Sequence, residues 1–275
     1  MRDQVNSQAD CLQAIAGDVS GLLIVNADDW GCDQPTTEAI LRCVRRGTVS
    51  AVSAMVFMAD SERAAAMAGQ EGIDAGLHLN FTTPFSTRRC PSRLAEHQQE
   101  LARYLRRHRL AQMLMHPGLF RPFEYVVAAQ LDEFRRLYGT EPDRLDGHHH
   151  MHLCANVVLR KLLPAGTLVR RNFSFQPGEK GTLNRMYRRF IDGRLVHRHH
   201  VCDFLFSLAP LEPESRIQRI LSLARRFVVE VETHPIQPAE YRFLAGGEFL
   251  RQVEGLRIAS PQAVRRSGQL GGQPL

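Results

Sequence analysis

The sequence contains one unusually dense run of histidines, DGHHHMH at residues 146–152. Four of the twelve histidines of the chain stand within five positions of this run: His148, His149, His150 and His152. Neutral imidazole is the commonest metal ligand in proteins, so the run is a candidate metal or catalytic site. In an extended chain His148 and His150 would share a face, whereas in a helix His148 and His152 would share one. The run by itself leaves this choice open.

Two adjacent aspartates end the first apolar run of the chain, GLLIVNADD at residues 21–29. In an extended strand Asp28 and Asp29 would point to opposite sides, but a turn at this place would let both carboxylates face one pocket. One could then bind a cation while the other acts as a base. The alternative is structural, because an aspartate in this position often caps the following helix.

Two single histidines also stand near the ends of apolar runs. His78 lies in AGLHLNF, where the apolar alternation is equally compatible with a histidine buried in the core. His234 lies in VETHP, between a buried run and a proline, which is a usual end for a strand. Each of these histidines is ambiguous when it is taken alone.

Short apolar runs alternate with helical patterns along most of the chain. This alternation predicts βαβ units and a parallel sheet, either open and doubly wound or curled into a (β/α) barrel. No GxGxxG loop follows the first run, which argues against dinucleotide binding. Six or seven strands are predicted, at residues 21–29, 48–57, 73–82, 144–146, 166–170, 203–208 and 227–235. Helices are predicted at residues 35–47, 60–69, 96–107, 123–138 and 214–226, and after residue 152.

Polar residues gather at the carboxyl ends of these predicted strands: Asp28, Asp29, His78, Asp146, His148 and His234. Barrel enzymes build their active sites at this end of the strands, so we expect these residues to meet. An aspartate with two histidines is a three-ligand set that leaves coordination positions free, as catalytic metal sites do. A metal there polarises a carbonyl and lowers the pKa of bound water, while the remaining acid and imidazole move protons. This chemistry is amide or ester hydrolysis.

The predicted organisation is a single α/β domain at residues 21–260. It is preceded by a polar N-terminal extension at residues 1–20 and followed by a flexible C-terminal tail at residues 261–275. Residues 84–122 interrupt the strand–helix rhythm with four prolines, and we interpret them as an inserted lid segment over a strand end.

Composition excludes several classes of protein. The net charge of +6 comes almost entirely from scattered arginines, which does not predict nucleic-acid binding but suits contacts to an anionic substrate. No apolar stretch is long enough for a transmembrane span, and the first twenty residues lack the apolar core of a signal peptide, so we expect a cytoplasmic protein. The six cysteines contain no CxxC pair, which argues against a thiolate zinc site. The oligomeric state is open, and a homo-oligomer is compatible with the sequence.

Four segments in this order, NADDWG, GLHLNFT, DGHHHMH and ETHP, resemble the YdjC-like family of carbohydrate deacetylases. That family includes chitooligosaccharide deacetylases and deacetylase-like proteins of hopanoid biosynthesis. The likeness covers about residues 21–235, and residues 84–122 and 171–202 match poorly. The resemblance implies an irregular (β/α) barrel in which one divalent metal ion assists removal of an N-acetyl group from a sugar.

By the same resemblance, Asp29, His78 and His148 would be the metal ligands. The resemblance further implies that Asp28 is the general base and that His234 is the general acid. Asp146 would orient an imidazole from behind, and His152 is the alternative ligand within the histidine run.

The metal and the substrate stay open: the acetamido sugar is free or attached to an oligosaccharide, a lipid or a nucleotide. Two imidazoles favour Zn²⁺ on ligand softness, whereas the resembled family is often described with Mg²⁺. Position suggests Trp30, Asn80 and Arg170 as substrate contacts, and Trp30 stands where the family usually has a phenylalanine. Two other functions stay open: a metal-dependent hydrolase of phosphoesters or cyclic amides, and a non-catalytic sugar-binding protein with a vestigial site.

Overall fold

Seven parallel strands form the central sheet of the computed structural model, which describes residues 21–107, 110–175 and 181–262. The strands are β1 (Leu22–Trp30), β2 (Ala51–Ala54), β3 (Ala75–Leu79), β4 (Arg144–Gly147), β5 (Leu168–Val169), β6 (Phe204–Ser207) and β7 (Val228–Thr233). Their spatial order is β5-β4-β3-β2-β1-β7-β6. All seven strands were predicted. The predicted extension at 1–20 and the predicted tail, from residue 263 onward, lie outside the described residues.

Helices connect the strands and cover the outer face of the sheet. Their bounds are α1 (Gln34–Arg45), α2 (Ser61–Glu71), α3 (Ser92–Arg107), α4 (Phe120–Tyr138), α5 (Ala155–Leu159), α6 (Thr182–Val196), α7 (Glu214–Ala224), α8 (Pro238–Ala245) and α9 (Glu248–Gln252). Two short 3₁₀ helices lie at Pro117–Leu119 and His148–Leu153. Within the three described ranges, every helix is too short or too polar to cross a bilayer.

The sheet curls until its two edge strands approach each other. His200 bridges to Leu168 of β5, and the backbone N–H of Ser174, just after β5, donates to the carbonyl of Leu205 in β6 at 2.8 Å. The prediction of an irregular (β/α) barrel with seven parallel strands is therefore confirmed, in the form of a curled half-barrel.

Alternation along β1 separates the two faces of the sheet as far as Asp28. In β1, Leu23, Val25 and Ala27 point outward into the large apolar core between sheet and helices. Leu22 and Ile24 point inward, where they join a small apolar cluster near the amino ends of the strands. Further along the same inner face stand polar residues. The inside of the half-barrel is therefore apolar at one end and charged at the other.

The segment predicted as an inserted lid packs as part of the fold. Its helix α3 buries Leu94, Leu101 and Leu105 in the same core cluster as the sheet. The side-chain amide of Gln98 in α3 donates to the carbonyl of Thr83 at 2.8 Å, which ties the helix to the loop after β3. Helix α3 thus braces the end of β3.

Three helices, α6, α8 and α9, were not predicted. Helix α6 lies in the Arg-rich stretch, where only Ile191 and Leu195 are buried and the apolar residues therefore do not trace a wide helical stripe. Helices α8 and α9 are short, with eight and five residues, so their periodicity is too brief to recognise.

The close packing of β3 on β4 depends on Gly76. This residue stands opposite Arg144, and a Cβ atom placed on it would lie 2.9 Å from the Arg144 carbonyl oxygen and 2.9 Å from its guanidinium carbon. The missing side chain is what allows a buried arginine to lie across the inner face of β3.

We expect Gly76→Ala to destabilise the protein by roughly 1–3 kcal/mol, because the backbone of β4 must move away from the added methyl group. Chemical denaturation measures this free energy. Gly69→Ala is the matched control, since Gly69 is exposed on α2 and nothing lies within 4 Å of its Cβ position. That control should be neutral or stabilising by up to about 1 kcal/mol. Equal stability of the two variants would contradict the packing argument.

Candidate active site

The two adjacent aspartates reach one pocket because the backbone turns between them. Asp29 has a φ of +67°, in the left-handed region that non-glycine residues rarely adopt, and the pairing of β1 with β2 shifts register between Ala27 and Trp30. Asp28 consequently keeps its inward direction, and Asp29 turns back beside it. Oδ2 of Asp28 and Oδ1 of Asp29 lie 4.0 Å and 3.4 Å from Nε2 of His78.

Three potential metal ligands converge at this point. Oδ1 of Asp29 lies 3.4 Å from Nε2 of His78 and 2.9 Å from Nδ1 of His148, and one ligand atom of each residue lies within 4.8 Å of the other two. Oδ1 of Asp29 is buried, yet no neighbour meets it with hydrogen-bond geometry. A buried carboxylate oxygen that has no hydrogen-bond donor and faces two imidazole nitrogens fits a divalent cation.

Asp146 holds the imidazole of His78 from behind. Its Oδ1 lies 2.7 Å from Nδ1 of His78, so Nε2 is directed at the aspartates. A carboxylate behind a histidine in this way fixes the ring and its tautomer in metal sites. Burial alone would lower the pKa of His78, but the carboxylates of Asp28 and Asp146 outweigh it and raise that pKa to about 10.

The histidine run sends its side chains in different directions. His149 and His150 have φ values of +55° and +56°, which breaks both the extended and the helical repeat. His148 therefore faces Asp29, while Nδ1 of His149 lies 3.0 Å from the Thr82 hydroxyl. Nε2 of His150 lies 3.0 Å from Oε2 of Glu232. His148 therefore shares a face neither with His150, as in an extended chain, nor with His152, as in a helix.

His152, the alternative ligand, lies away from the convergent atoms. It is fully buried, and its Nε2 lies 2.9 Å from the carbonyl oxygen of Arg170. Burial and the neighbouring His150 lower the pKa of its imidazole to about 3. A Cβ atom at Gly147 would come within 3.0 Å of this ring, which explains why glycine precedes the histidines. The structure thus assigns His152 to the support of the loop.

Arg170 is the centre of the charged interior. It is 2% exposed, and its guanidinium binds Asp28 through two hydrogen bonds of 2.7 and 2.8 Å. Its Nε donates to Glu230 at 2.8 Å, and its Nη1 donates to Glu232 at 3.1 Å. Nη2 lies 3.1 Å from Oδ2 of Asp146. One guanidinium therefore bridges four carboxylates from three strands.

A second buried arginine supports Asp146. Nη1 of Arg144 donates to Oδ2 of Asp146 at 3.1 Å and to the Ser53 hydroxyl at 3.0 Å, and Ser53 donates to the same carboxylate oxygen. The side-chain amide of Asn26 donates to the Ser53 hydroxyl at 2.8 Å and to Asp28 at 2.7 Å. Asp28 and Asp146 thus share a continuous set of hydrogen bonds.

The interior carries more negative than positive charge. Five carboxylates face two guanidiniums and, in the metal-free protein, the imidazolium of His78, whose pKa is raised. The carboxylates are those of Asp28, Asp29, Asp146, Glu230 and Glu232, and the guanidiniums are those of Arg144 and Arg170. Burial raises the pKa of Asp29, but the imidazoles of His148 and His78 outweigh this effect and lower the pKa well below its usual range. A buried excess of this sign favours binding of a divalent cation.

His234 approaches the pocket from the end of β7. It forms a second group with Asp28 and Glu232, in which one polar atom of each side chain lies within 4.8 Å of the others. The buried carboxylate of Glu240 accepts hydrogen bonds from the backbone N–H of His234 at 2.7 Å and from the Thr233 hydroxyl at 2.6 Å. His234 is therefore anchored through its backbone, and Asp28 lies between this histidine and the three convergent ligands.

The three suggested substrate contacts do not fit the structure. Trp30 is fully buried in the core between sheet and helices, because the left-handed Asp29 turns the following residue outward. Asn80 is also fully buried; its side chain binds the backbone of Thr83 at 2.7 and 2.9 Å and shapes the loop after β3. Arg170 is occupied by four carboxylates. All three are structural residues of the site, not exposed contacts.

Sequence reasoning missed several members of the interior: Glu230, Glu232, Arg144, Ser53 and Asn26. A recognisable signal was present for the acids, because VVEVET places two glutamates two residues apart in an apolar strand. The same spacing relates Arg144 to Asp146 and Asn26 to Asp28. A charged residue at alternate positions of a buried strand predicts a polar inner face.

Comparison with known proteins agrees with this architecture. A sequence profile of the YdjC-like protein family matches residues 22–257. A chitooligosaccharide deacetylase of Serratia marcescens is 34% identical over 137 residues, which are 48% of this chain and 51% of that protein. A chitooligosaccharide deacetylase of Yersinia pestis (strain Pestoides F) is 31% identical over 139 residues, which are 50% of this chain and 52% of that protein. The chain spans about half the length of these curated relatives.

Among solved structures, a candidate cellobiose-phosphate cleavage protein from Enterococcus faecalis V583 superposes with a TM-score of 0.62. The match covers 89% of this chain and 99% of that one at 18% sequence identity. At this level of identity the likeness concerns the fold.

We expect His148→Ala to weaken binding of one Zn²⁺ per chain by at least about 100-fold, measured by isothermal titration calorimetry on the metal-free protein. Even residues that only orient a ligand contribute about 10–100-fold to metal affinity. His149→Ala is the matched control, because the neighbouring imidazole contacts Thr82 and not the three convergent atoms. Equal affinity of both variants would rule out His148 as a ligand.

We expect Arg170→Met to destabilise the protein by roughly 3–5 kcal/mol, because it leaves buried carboxylates without their cation. Urea denaturation of the metal-free protein measures the loss. Arg135→Met is the control: Arg135 also pairs with two carboxylates, Asp132 and Glu141, but on the exposed surface of α4, so its loss should be far smaller. A small effect of Arg170→Met would mean that the interior tolerates unpaired acids.

Proposed function

The chain belongs to the YdjC-like family, and we propose that it is a metal-dependent hydrolase that removes the N-acetyl group from an acetamido sugar. The observation that carries this proposal is the grouping of Asp29, His78 and His148, with Asp28 beside them and His234 beyond Asp28. The chitooligosaccharide deacetylase names of its relatives agree with amide hydrolysis on a sugar.

Asp29, His78 and His148 would hold the cation, since their ligand atoms converge and the carboxylate oxygen is otherwise unsatisfied. Two imidazoles in the set favour Zn²⁺ or a similar transition ion over Mg²⁺. When bound, such an ion polarises an acetyl carbonyl and increases the acidity of water. The open coordination positions would face the sugar, because three protein ligands do not complete a tetrahedral shell.

Asp28 is proposed as the general base that accepts a proton from the attacking water. Arg170 holds its carboxylate through two hydrogen bonds, and Asn26 adds a third. These contacts keep the carboxylate at the floor of the pocket, with Oδ2 4.0 Å from Nε2 of His78. A base that is positioned in advance does not have to be oriented during the reaction.

His234 is proposed as the general acid that protonates the departing amine. Its backbone is bound to Glu240, and its side chain lies close to Glu232 and Asp28. The base and the acid thus come from different strands, β1 and the end of β7. An acetamido group between them would have its carbonyl toward the three ligands and its nitrogen toward His234.

Two features argue against a phosphoester hydrolase and against a non-catalytic sugar-binding protein. Hydrolysis of a phosphoester would use arginines to bind phosphate, but the two arginines buried beneath the pocket are already paired with carboxylates. A vestigial binding protein would have no need for the proposed ligands, base and acid. All five of these side chains are present and arranged together.

We expect Asp28→Asn and His234→Ala each to lower the rate of acetate release by about 10²–10⁴-fold, the usual contribution of one general base or acid. Both variants should retain one bound metal ion, measured by elemental analysis after gel filtration. His197→Ala is the control, because His197 is exposed beyond α6 and lies outside both groups of potential ligands. Loss of the metal ion from either variant would show that the roles are assigned wrongly.

Acetate release should also be sensitive to a chelator and restored by Zn²⁺. We expect it with at least one of four compounds: N-acetylglucosamine, N,N′-diacetylchitobiose, a nucleotide-linked N-acetyl sugar and an aryl N-acetylglucosaminide. Parallel measurement of inorganic phosphate with phosphorylated sugars tests the phosphoester alternative. Phosphate release without acetate release would overturn the proposal.

A further inference from the structure

A second set of potential metal ligands adjoins the first, on the neighbouring strands β1 and β7. Asp28, Glu232 and His234 each offer one ligand atom, and these atoms lie within 4.8 Å of one another. Asp28 and Glu232 are buried, and His234 is half-buried. This second set shares no residue with the three proposed metal ligands.

Strand register brings the three side chains of the second set together. β1 and β7 are parallel, and Ala27 stands opposite Thr233, so Asp28 and His234 are the next residues along the two neighbouring segments. Glu232 precedes His234 by two residues at the end of an extended segment and therefore faces the same side of the sheet. The pairing of β1 with β7 thus holds all three residues in place.

The side chains of the second set keep atoms that can bind a cation. Among the described residues, none is hydrogen-bonded to Oε1 of Glu232 or to an imidazole nitrogen of His234. The other oxygen of Glu232, Oε2, accepts from Arg170 at 3.1 Å and lies 3.0 Å from Nε2 of His150. Oδ2 of Asp28 accepts a hydrogen bond from Arg170 at 2.7 Å, which leaves a lone pair on this oxygen. Each member can therefore supply an electron pair to a cation.

The charges around the second set also favour a cation. Asp28 and Glu232 pair with Arg170, but this guanidinium is shared with Asp146 and Glu230. One positive charge therefore serves four carboxylates and does not fully neutralise the two in the set. An imidazole and two carboxylates are ligands that Zn²⁺ accepts in proteins.

The second set should bind a cation more weakly than the three proposed ligands do. It contains one imidazole where the first set contains two, and imidazole nitrogen suits Zn²⁺ better than carboxylate oxygen does. Arg170 competes with the cation for Asp28 and Glu232, and a cation already bound at Asp29 repels a second one nearby. A second ion is therefore expected only at concentrations above those that fill the first site.

We propose that Asp28, Glu232 and His234 form a second and weaker divalent-cation site, and that Zn²⁺ bound there inhibits the enzyme. The inhibition rests on the proposed function. A cation on Asp28 occupies electron pairs with which this residue, as the base, would accept a proton, and a cation on a nitrogen of His234 prevents proton donation from that atom. The site itself rests on the arrangement of the side chains and not on the reaction.

Calorimetric titration of the chelator-treated protein with Zn²⁺ tests the second site without an assay of activity. We expect two binding events, of which the second is at least about tenfold weaker because it has fewer imidazole ligands. Glu232→Gln should weaken the second event by at least about tenfold more, since even residues that only orient a ligand contribute about 10–100-fold to metal affinity. The first event should remain. A single zinc ion per wild-type chain would overturn the inference.

Glu230→Gln is the matched control for Glu232→Gln. Glu230 is also buried on β7 and also pairs with Arg170, at 2.8 Å, but it lies outside the second set. The second binding event should persist in this control variant. The inference fails if the event survives Glu232→Gln at full affinity, or if both variants lose it equally, because the ion would then lie elsewhere or respond only to the buried charge.

Anomalous diffraction at the zinc absorption edge locates the ions in the wild-type protein and does not depend on the folding of a variant. Crystals with one equivalent of Zn²⁺ should show one peak, at the three proposed ligands. Crystals with millimolar Zn²⁺ should show a second peak, at about 2.0–2.2 Å from ligand atoms of Asp28, Glu232 and His234. Absence of the second peak from this position would contradict the proposed site.

Acetate release should rise with the first equivalent of Zn²⁺ and then fall by at least about tenfold in excess, because one base or acid contributes about 10²–10⁴-fold. Relative to its own maximum, Glu232→Gln should resist this fall and Glu230→Gln should not. Undiminished acetate release with both sites occupied would overturn the inhibition. No acetate at any Zn²⁺ concentration would instead overturn the proposed function, and calorimetry and diffraction would still decide whether the second site exists.

Discussion

One buried guanidinium organises the interior of this protein. Arg170 follows β5 and binds carboxylates that stand on β1, β4 and β7. Buried carboxylates are costly unless they are paired, so four acids of the inner face depend on this cation: Asp28, Asp146, Glu230 and Glu232. The curl of the sheet is what brings these strands around a single side chain. The proposed active site lies directly beside that arrangement.

The proposed metal ligands and the proposed base depend on this network through two carboxylates. Asp146 pairs with Arg170 and Arg144 on one side and fixes His78 on the other, so a structural ion pair also orients a ligand. Asp28 binds Arg170 directly and lies next to Asp29. The stability of the interior and the proposed catalysis therefore depend on the same contacts.

Backbone conformation completes the site where strand geometry ends. Asp29, His149 and His150 all have φ between +55° and +67°. Such conformations cost free energy in non-glycine residues and persist because their surroundings hold them. At Asp29 the turn places two adjacent carboxylates in one pocket. In the histidine run it distributes neighbouring imidazoles among Asp29, Thr82 and Glu232.

The sequence by itself determined the strand order along the chain, the parallel sheet and the gathering of Asp28, Asp29, His78, Asp146, His148 and His234, because apolar runs and strand ends are local patterns. The run by itself left open which of its histidines faces the aspartates, and the family resemblance pointed to His148. Only the tertiary structure shows why His148 does so, since its direction depends on two left-handed residues that no local pattern predicts. It also decided that Trp30, Asn80 and Arg170 are buried supports. Their surroundings come from distant strands and helices, and contacts between residues far apart in sequence form only when the sheet curls.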